Sequence, residues 1–154
     1  MTIRAVIFDL GGVLIEIDWD TYRRDQHSYV QEKIGYPYDY ERLNIQLAQF
    51  VAALRPWYKT AIICNQGSRE AANRKFKLRE LVDLMVFDGE EGVSKPDVRI
   101  YQRALARLEV KAEEAVFVDD KIKNVEAARH IGMIGILFED TVQAIEDVKI
   151  LLAR

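Results

Sequence analysis

The sequence predicts an α/β protein built on a doubly wound, mainly parallel sheet of five strands. Three observations carry that prediction. Five short apolar runs recur along the 154 residues, they are nearly continuous rather than alternating, and helix-like segments separate them. A strand with one wet face alternates, whereas a strand rich in Val, Ile and Phe throughout is covered on both sides. Strand and helix in turn, with short connections, give crossover units and hence a parallel sheet between helical layers.

The first run, "IRAVIFD" (3–9), ends on a carboxylate and breaks on Gly11 and Gly12. "KTAIIC" (59–64), "LMVFD" (84–88), "AVFVDD" (115–120) and "IGILF" (134–138) supply the other strands. The helix expected over 68–82 opens with Ser68 as a cap, and the one over 96–108 has Asp97 near its start. A third, over 122–132, stops on Gly132, and an amphipathic helix is expected over 140–153. Between the first two strands lie two further helices, expected at 20–34 and 40–54. The second has an apolar stripe suited to packing on the sheet. The first is mostly polar and leads into "YPYDY", so that five of the seven tyrosines fall between 22 and 40. Residues 16–38 therefore read as a short helical insertion after the first strand, within one domain spanning 1–154. Trp19, Tyr22, Tyr29, Tyr36, Tyr38 and Tyr40 are candidate contacts there, lining a cleft or lidding the core.

Composition narrows the setting. The chain is 49% hydrophobic and 31% charged with a formal net charge of -3, which offers no basic face for nucleic acid. No apolar stretch is long enough to span a bilayer. The single cysteine, Cys64, allows no internal disulfide and is compatible with a reducing compartment, so the expected location is cytoplasmic.

Ligands of open parallel sheets bind beyond the carboxyl ends of the strands. The first strand delivers Asp9 there, the second Cys64 and Asn65, and the fourth Asp119 and Asp120. Lys95 precedes Pro96 at the start of a helix. Three carboxylates without histidine suit a hard cation such as Mg²⁺. Lysine holds a neighbouring carboxylate ionised or cradles phosphate, and an ionised aspartate beside it is a nucleophile toward phosphorus. Asn65 and the amides of "NQGS" (65–68) can take anionic oxygens. Each feature alone is an ordinary cap or turn. Their joint occurrence in order, at successive strand ends, points to phosphoryl transfer.

On these residues the chain resembles the haloacid dehalogenase superfamily, in its phosphatase-like branch. The matching motifs are "IFDLGGVL" around Asp9, "IICNQ" around Cys64 and Asn65, "VSKPD" around Lys95, and "VFVDDKIKN" with Asp119, Asp120 and Asn124. The resemblance implies a Rossmann-like sheet and Mg²⁺ held by Asp9, by Asp120 with Asp119 direct or through water, and by the carbonyl of Gly11. It implies an aspartyl-phosphate on Asp9, with Lys95, Asn65 and the Cys64 position gripping the phosphoryl oxygens and Asn124 behind the acids. Two departures accompany it. The family's phosphatases usually carry a second aspartate, the general acid and base, where Gly11 stands, and Ser or Thr where Cys64 stands. The insertion is also shorter than the family's usual cap.

The expected activity is thus Mg²⁺-dependent hydrolysis of phosphate monoesters, slowed by the loss of acid–base help at Gly11. The substrate is a small phosphorylated compound or a larger one reaching an open site, and a homodimer closing that site is a further expectation. One alternative is a weakened or inactive module that binds phosphate or a protein partner. Another is a haloacid dehalogenase, which also lacks the second aspartate but would have no use for Asp119 and Asp120.

Overall fold

The computed structural model describes residues 2–26 and 40–154. Among them a five-stranded parallel sheet runs in the order β5-β4-β1-β6-β7. Its strands are β1 (Ala5–Phe8), β4 (Lys59–Cys64), β5 (Leu84–Phe87), β6 (Ala115–Asp119) and β7 (Ile134–Leu137). β1 is central: Ala5 pairs with Lys59 on one side and with Ala115 on the other. Strand order therefore reverses about β1, the place where sheets of this kind open a crevice at their carboxyl edge.

The alternation hidden in the apolar runs becomes visible across the sheet. Val6, Phe8, Ile62, Val116 and Val118 face a core shared with α2 (Ile45–Leu54), α4 (Leu78–Leu81) and α8 (Thr141–Leu152). Ala5, Ile7, Ala61, Ile63 and Phe117 face a second core under α6 (Val98–Leu108) and α7 (Ile122–His130). Both faces are dry, and the polar residues of these strands stand at their ends, Lys59 and Thr60 opening β4 and Asp119 closing β6. The helices begin where capping chemistry allows. Asp97 accepts from the Arg99 amide, and Asp140 and Gln143 cap α8 reciprocally.

Two expected helices are corrected. Residues 40–54 do not form one helix. Glu41–Leu43 is a strand, β3, paired antiparallel with β2 (Ile15–Ile17), and only then does α2 start. Asn44 makes the change: its Oδ1 accepts from the Leu47 amide, and its Nδ2 donates to the Val13 carbonyl and to Thr141 Oγ1. The helix expected over 68–82 is two, α3 (Arg69–Phe76) and α4, divided at Lys77 with φ 54°. There the Asn73 carbonyl accepts from the Lys77 amide while Asn73 Oδ1 accepts from the Arg79 amide, ending one helix and starting the next. A short helix, α5 (Asp88–Glu91), follows β5 where no separate element was expected.

Of the helix expected at 20–34, α1 (Trp19–Gln26) lies within the described residues and the remainder outside them, as do Tyr29, Tyr36 and Tyr38. The Trp19 and Tyr22 rings meet edge-on at 5.7 Å, and those of Tyr22 and Tyr40 at 5.3 Å. No described helix is long and apolar enough to cross a membrane.

Because Asn44 joins the β2–β3 ribbon, α2 and α8 through three hydrogen bonds, Asn44→Ala is expected to cost about 2 kcal/mol, a lost cap plus a stranded carbonyl. Urea denaturation of the two proteins measures it.

Candidate functional site

Four side chains converge at the carboxyl edge where the strand order reverses. Asp9 follows β1, held in line by its amide bonding to the Val118 carbonyl at 2.8 Å. Asp119 ends β6 and Asp120 follows it. Carboxylate oxygens of these three residues lie within 4.8 Å of one another. Lys95, on the connection from α5 to α6, reaches in from the far side. Its Nζ is 2.7 Å from Asp9 Oδ1 and 3.0 Å from Asp119 Oδ2.

The lysine is only 4% exposed and lies 5.8 Å over the Phe117 ring. Burial works against its charge, but Asp9 and Asp119 outweigh that and hold the ammonium above its ordinary pKa. The carboxylates fare worse. Burial pushes Asp9 up to about 7; Lys95 pulls it down, and Asp119 and Asp120 push it back up. Burial raises Asp120 as well. A single ammonium serves Asp9 and Asp119, and Asp120 crowds a third carboxyl against them, so the neighbouring acids help hold the proton on Asp9. A divalent hard cation is what such a donor set fits.

Each residue's spare capacity separates their parts. Asp119 is spent: Oδ2 accepts from Lys95 and from Asn124 Nδ2 at 3.1 Å, and Oδ1 accepts from the Lys121 amide. Asn124 is buried beneath it, and Tyr101 Oη donates to the Asn124 carbonyl. Asp9 takes the Leu10 amide and Lys95 both on Oδ1, which leaves Oδ2 for chemistry. Asn65 is also engaged, in a way its sequence position did not disclose. Its Nδ2 donates to the Lys95 carbonyl and its Oδ1 accepts from the Lys95 amide, so it fixes the lysine's backbone.

The two glycines after Asp9 differ. A Cβ on Gly12 would stand 2.4 Å from Asp120 Oδ2 and displace that carboxylate, and its φ of +85° strains any side chain placed there. A Cβ on Gly11 would meet nothing within 4 Å, and its backbone is not left-handed. Cys64 is buried, and burial, reinforced by Asp9, pushes its thiol up to about 12. It stays a neutral thiol, neither nucleophile nor ligand.

Gly11, Cys64 and Asn65 border a cleft of about 410 Å³ that continues along α3. A larger hollow, about 820 Å³, lies at the opposite edge of the sheet between Arg4, Trp57 and Leu108, and holds none of the carboxylates.

A carboxylic acid whose folded-state pKa is raised binds more protons folded than unfolded, so stability falls as pH rises between the two values. For Asp9 that window runs from about 4 to about 7. In EDTA the melting temperature is expected to fall across this window, and to fall less in Asp9→Asn. Mg²⁺ should restore most at the alkaline end, where the carboxylates are already free of protons.

Comparison with known proteins follows the same lines. A profile of the haloacid dehalogenase-like hydrolase family matches residues 18–132, a stretch that includes Cys64, Lys95, Asp119 and Asp120 and begins after Asp9. A sesquiterpene phosphatase of Aspergillus oryzae is 27% identical, over 91% of this chain and 92% of its own. A phosphorylated carbohydrates phosphatase of Thermotoga maritima is 29% identical, over 96% and 89%. Among solved structures, an uncharacterized protein of Corynebacterium glutamicum superposes with a TM-score of 0.71 at 26% identity, covering 98% of this chain and 96% of that one. A haloacid dehalogenase-family enzyme of Bacteroides thetaiotaomicron, solved with magnesium and inorganic phosphate, gives 0.71 at 16% identity, over 92% and 98%, and shares the fold. With well over half its length matched by that profile, the chain belongs to the haloacid dehalogenase-like hydrolases.

Proposed function

We propose that this hydrolase is a Mg²⁺-dependent phosphatase of phosphate monoesters, with Asp9 as nucleophile. The observation that carries the reading is the cluster of Asp9, Asp119 and Asp120 at the reversal of strand order, the first two buried and bound to Lys95 and the third exposed beside them. The two phosphatase relatives, each aligned over most of both chains, support the same reaction class. Asp9 and Asp120, with the Gly11 carbonyl, would hold Mg²⁺, and Asp119 would hold Lys95 and meet the ion only through water. When bound, the ion supplies positive charge that screens phosphate from the carboxylates and stabilises its oxygens in transfer.

The chain's own residues do the rest. Asp9 Oδ2 attacks phosphorus, the bond from phosphorus to the ester oxygen breaks, and an aspartyl-phosphate forms as the alcohol leaves. Lys95 neutralises Asp9 in the resting state and the phosphoryl oxygens during transfer. Water then attacks the same phosphorus, the bond to Oδ2 breaks, and inorganic phosphate departs. No side chain at Gly11 protonates the leaving oxygen, so the proton comes from solvent and poor leaving groups react slowly.

We also read residues 1–154 as one domain and 16–38 as a reduced cap. Alignments to the two phosphatases run to 182 and 197 positions against 154 residues here, so both relatives carry segments that this chain lacks.

Hydrolysis of p-nitrophenyl phosphate tests the reaction, because its good leaving group makes little demand on a general acid. Turnover is expected to require Mg²⁺, vanish in EDTA, and fall at least about 10³-fold in Asp9→Asn. Absence of turnover, with phosphate still bound in Mg²⁺, would instead favour a phosphate-binding module. Gly11→Asp places a carboxyl in open space beside Asp9. It is expected to speed hydrolysis of alkyl phosphates by about 10²-fold or more and of p-nitrophenyl phosphate far less.

A further inference from the structure

We infer that the leaving group of the substrate is an apolar alcohol, held in the cleft between the turn after β1 and one face of α3. The inference rests on the phosphatase reading for the position of the phosphoryl group, and on the cleft for everything beyond it.

The helix itself raises the question. α3 (Arg69–Phe76) has no buried residue, although Ala71, Ala72 and Phe76 form an apolar stripe at helical spacing. An amphipathic helix ordinarily turns such a stripe onto the core. Ala72 and Phe76 are half-buried against that core, Ala71 is exposed, and all three border the 410 Å³ cleft together with Leu10 and Ile15. Ala71 and Ala72 are the smallest side chains that keep such a wall apolar, so the space in front of them stays open. At its inner end the cleft meets Gly11 and Cys64, beside Asp9, so an ester oxygen placed for attack leaves its carbon chain directed along this wall.

Gln66, Asn65, Ser68, Glu41 and Lys75 are the polar side chains on the described walls, and two of them are already committed. Both polar atoms of the Asn65 amide are bonded to the Lys95 backbone, and Ser68 Oγ accepts from the Ala71 amide as the α3 cap. The charged groups there are Glu41 and Lys75, and the Lys75 ammonium lies 5.2 Å over the Phe76 ring. Along Leu10, Ile15, Ala71, Ala72 and Phe76 an alkyl or aryl group gains from leaving water, and a sugar hydroxyl set there finds no partner.

Binding of n-alkylphosphonates in Mg²⁺, from methyl to hexyl, tests this by calorimetry without any need for turnover. Their phosphonate heads are alike, so chain length changes only the contact with the cleft. Affinity is expected to rise about two- to fourfold per methylene and to exceed that for glucose 6-phosphate. In Ala71→Asp, an exposed position whose replacement leaves the core untouched, the rise should flatten. A flat series in the unmodified protein, tighter binding of glucose 6-phosphate than of hexylphosphonate, or an undiminished rise in Ala71→Asp would each overturn the assignment. Turnover of p-nitrophenyl phosphate, run alongside, keeps the two questions apart. Turnover with a flat series sinks the apolar cleft alone, and a steep series without turnover supports the cleft and sinks the hydrolytic reading alone.

Discussion

Asp9 and Asp119 share a single ammonium, Lys95, out of reach of bulk water, and the arrangement of the sheet is what makes that sharing possible. Burying an ion pair costs desolvation that its attraction barely returns, so such a pair is a poor source of stability. Burying a second carboxylate on the same lysine, with a third alongside, is worse. The cost is tolerated because three separate elements lock the partners in place. β1 and β6 are hydrogen-bonded neighbours, which fixes Asp9 beside Asp119, and Asn65 at the end of β4 clamps the lysine's backbone from the third side. A crevice that keeps excess negative charge out of water has a standing affinity for a doubly charged cation, and the cation in turn admits a phosphate.

The strands were legible because a doubly covered parallel sheet writes itself as uninterrupted apolar runs, and the carboxylates were legible because they end those runs. What escaped the sequence depends on partners far along the chain. Glu41–Leu43 is polar enough to pass for the first turn of a helix, and it is a strand only because Ile15–Ile17 lies opposite. The break at Lys77 is likewise set by hydrogen bonds to Asn73 that no periodicity reveals. At the site, the residues at 9, 95, 119 and 120 were recognisable by type. That Asn65 serves the lysine, and that three donors already hold Asp119, are facts of geometry alone.

Gly11 and Gly12 look equivalent in the sequence and are opposites in the structure. Gly12 is dictated by its left-handed backbone, which strains any side chain, and one placed there would push the Asp120 carboxylate aside. Nothing in the fold dictates Gly11. It sits with the thiol of Cys64 and the small residues of α3 on the borders of one cleft, where a side chain would find open space.

The central place of β1 also has a consequence in time. Its partners β4 and β6 follow it by about 50 and about 110 residues. At a synthesis rate of about 5–20 residues per second, Asp9 waits several seconds or more before Asp119 exists. For the first half of that interval neither edge of the strand has a partner, and for the second half only the edge that meets β4 has one. The strand that organises the finished molecule is therefore the one whose shelter during synthesis decides how much of the chain reaches it.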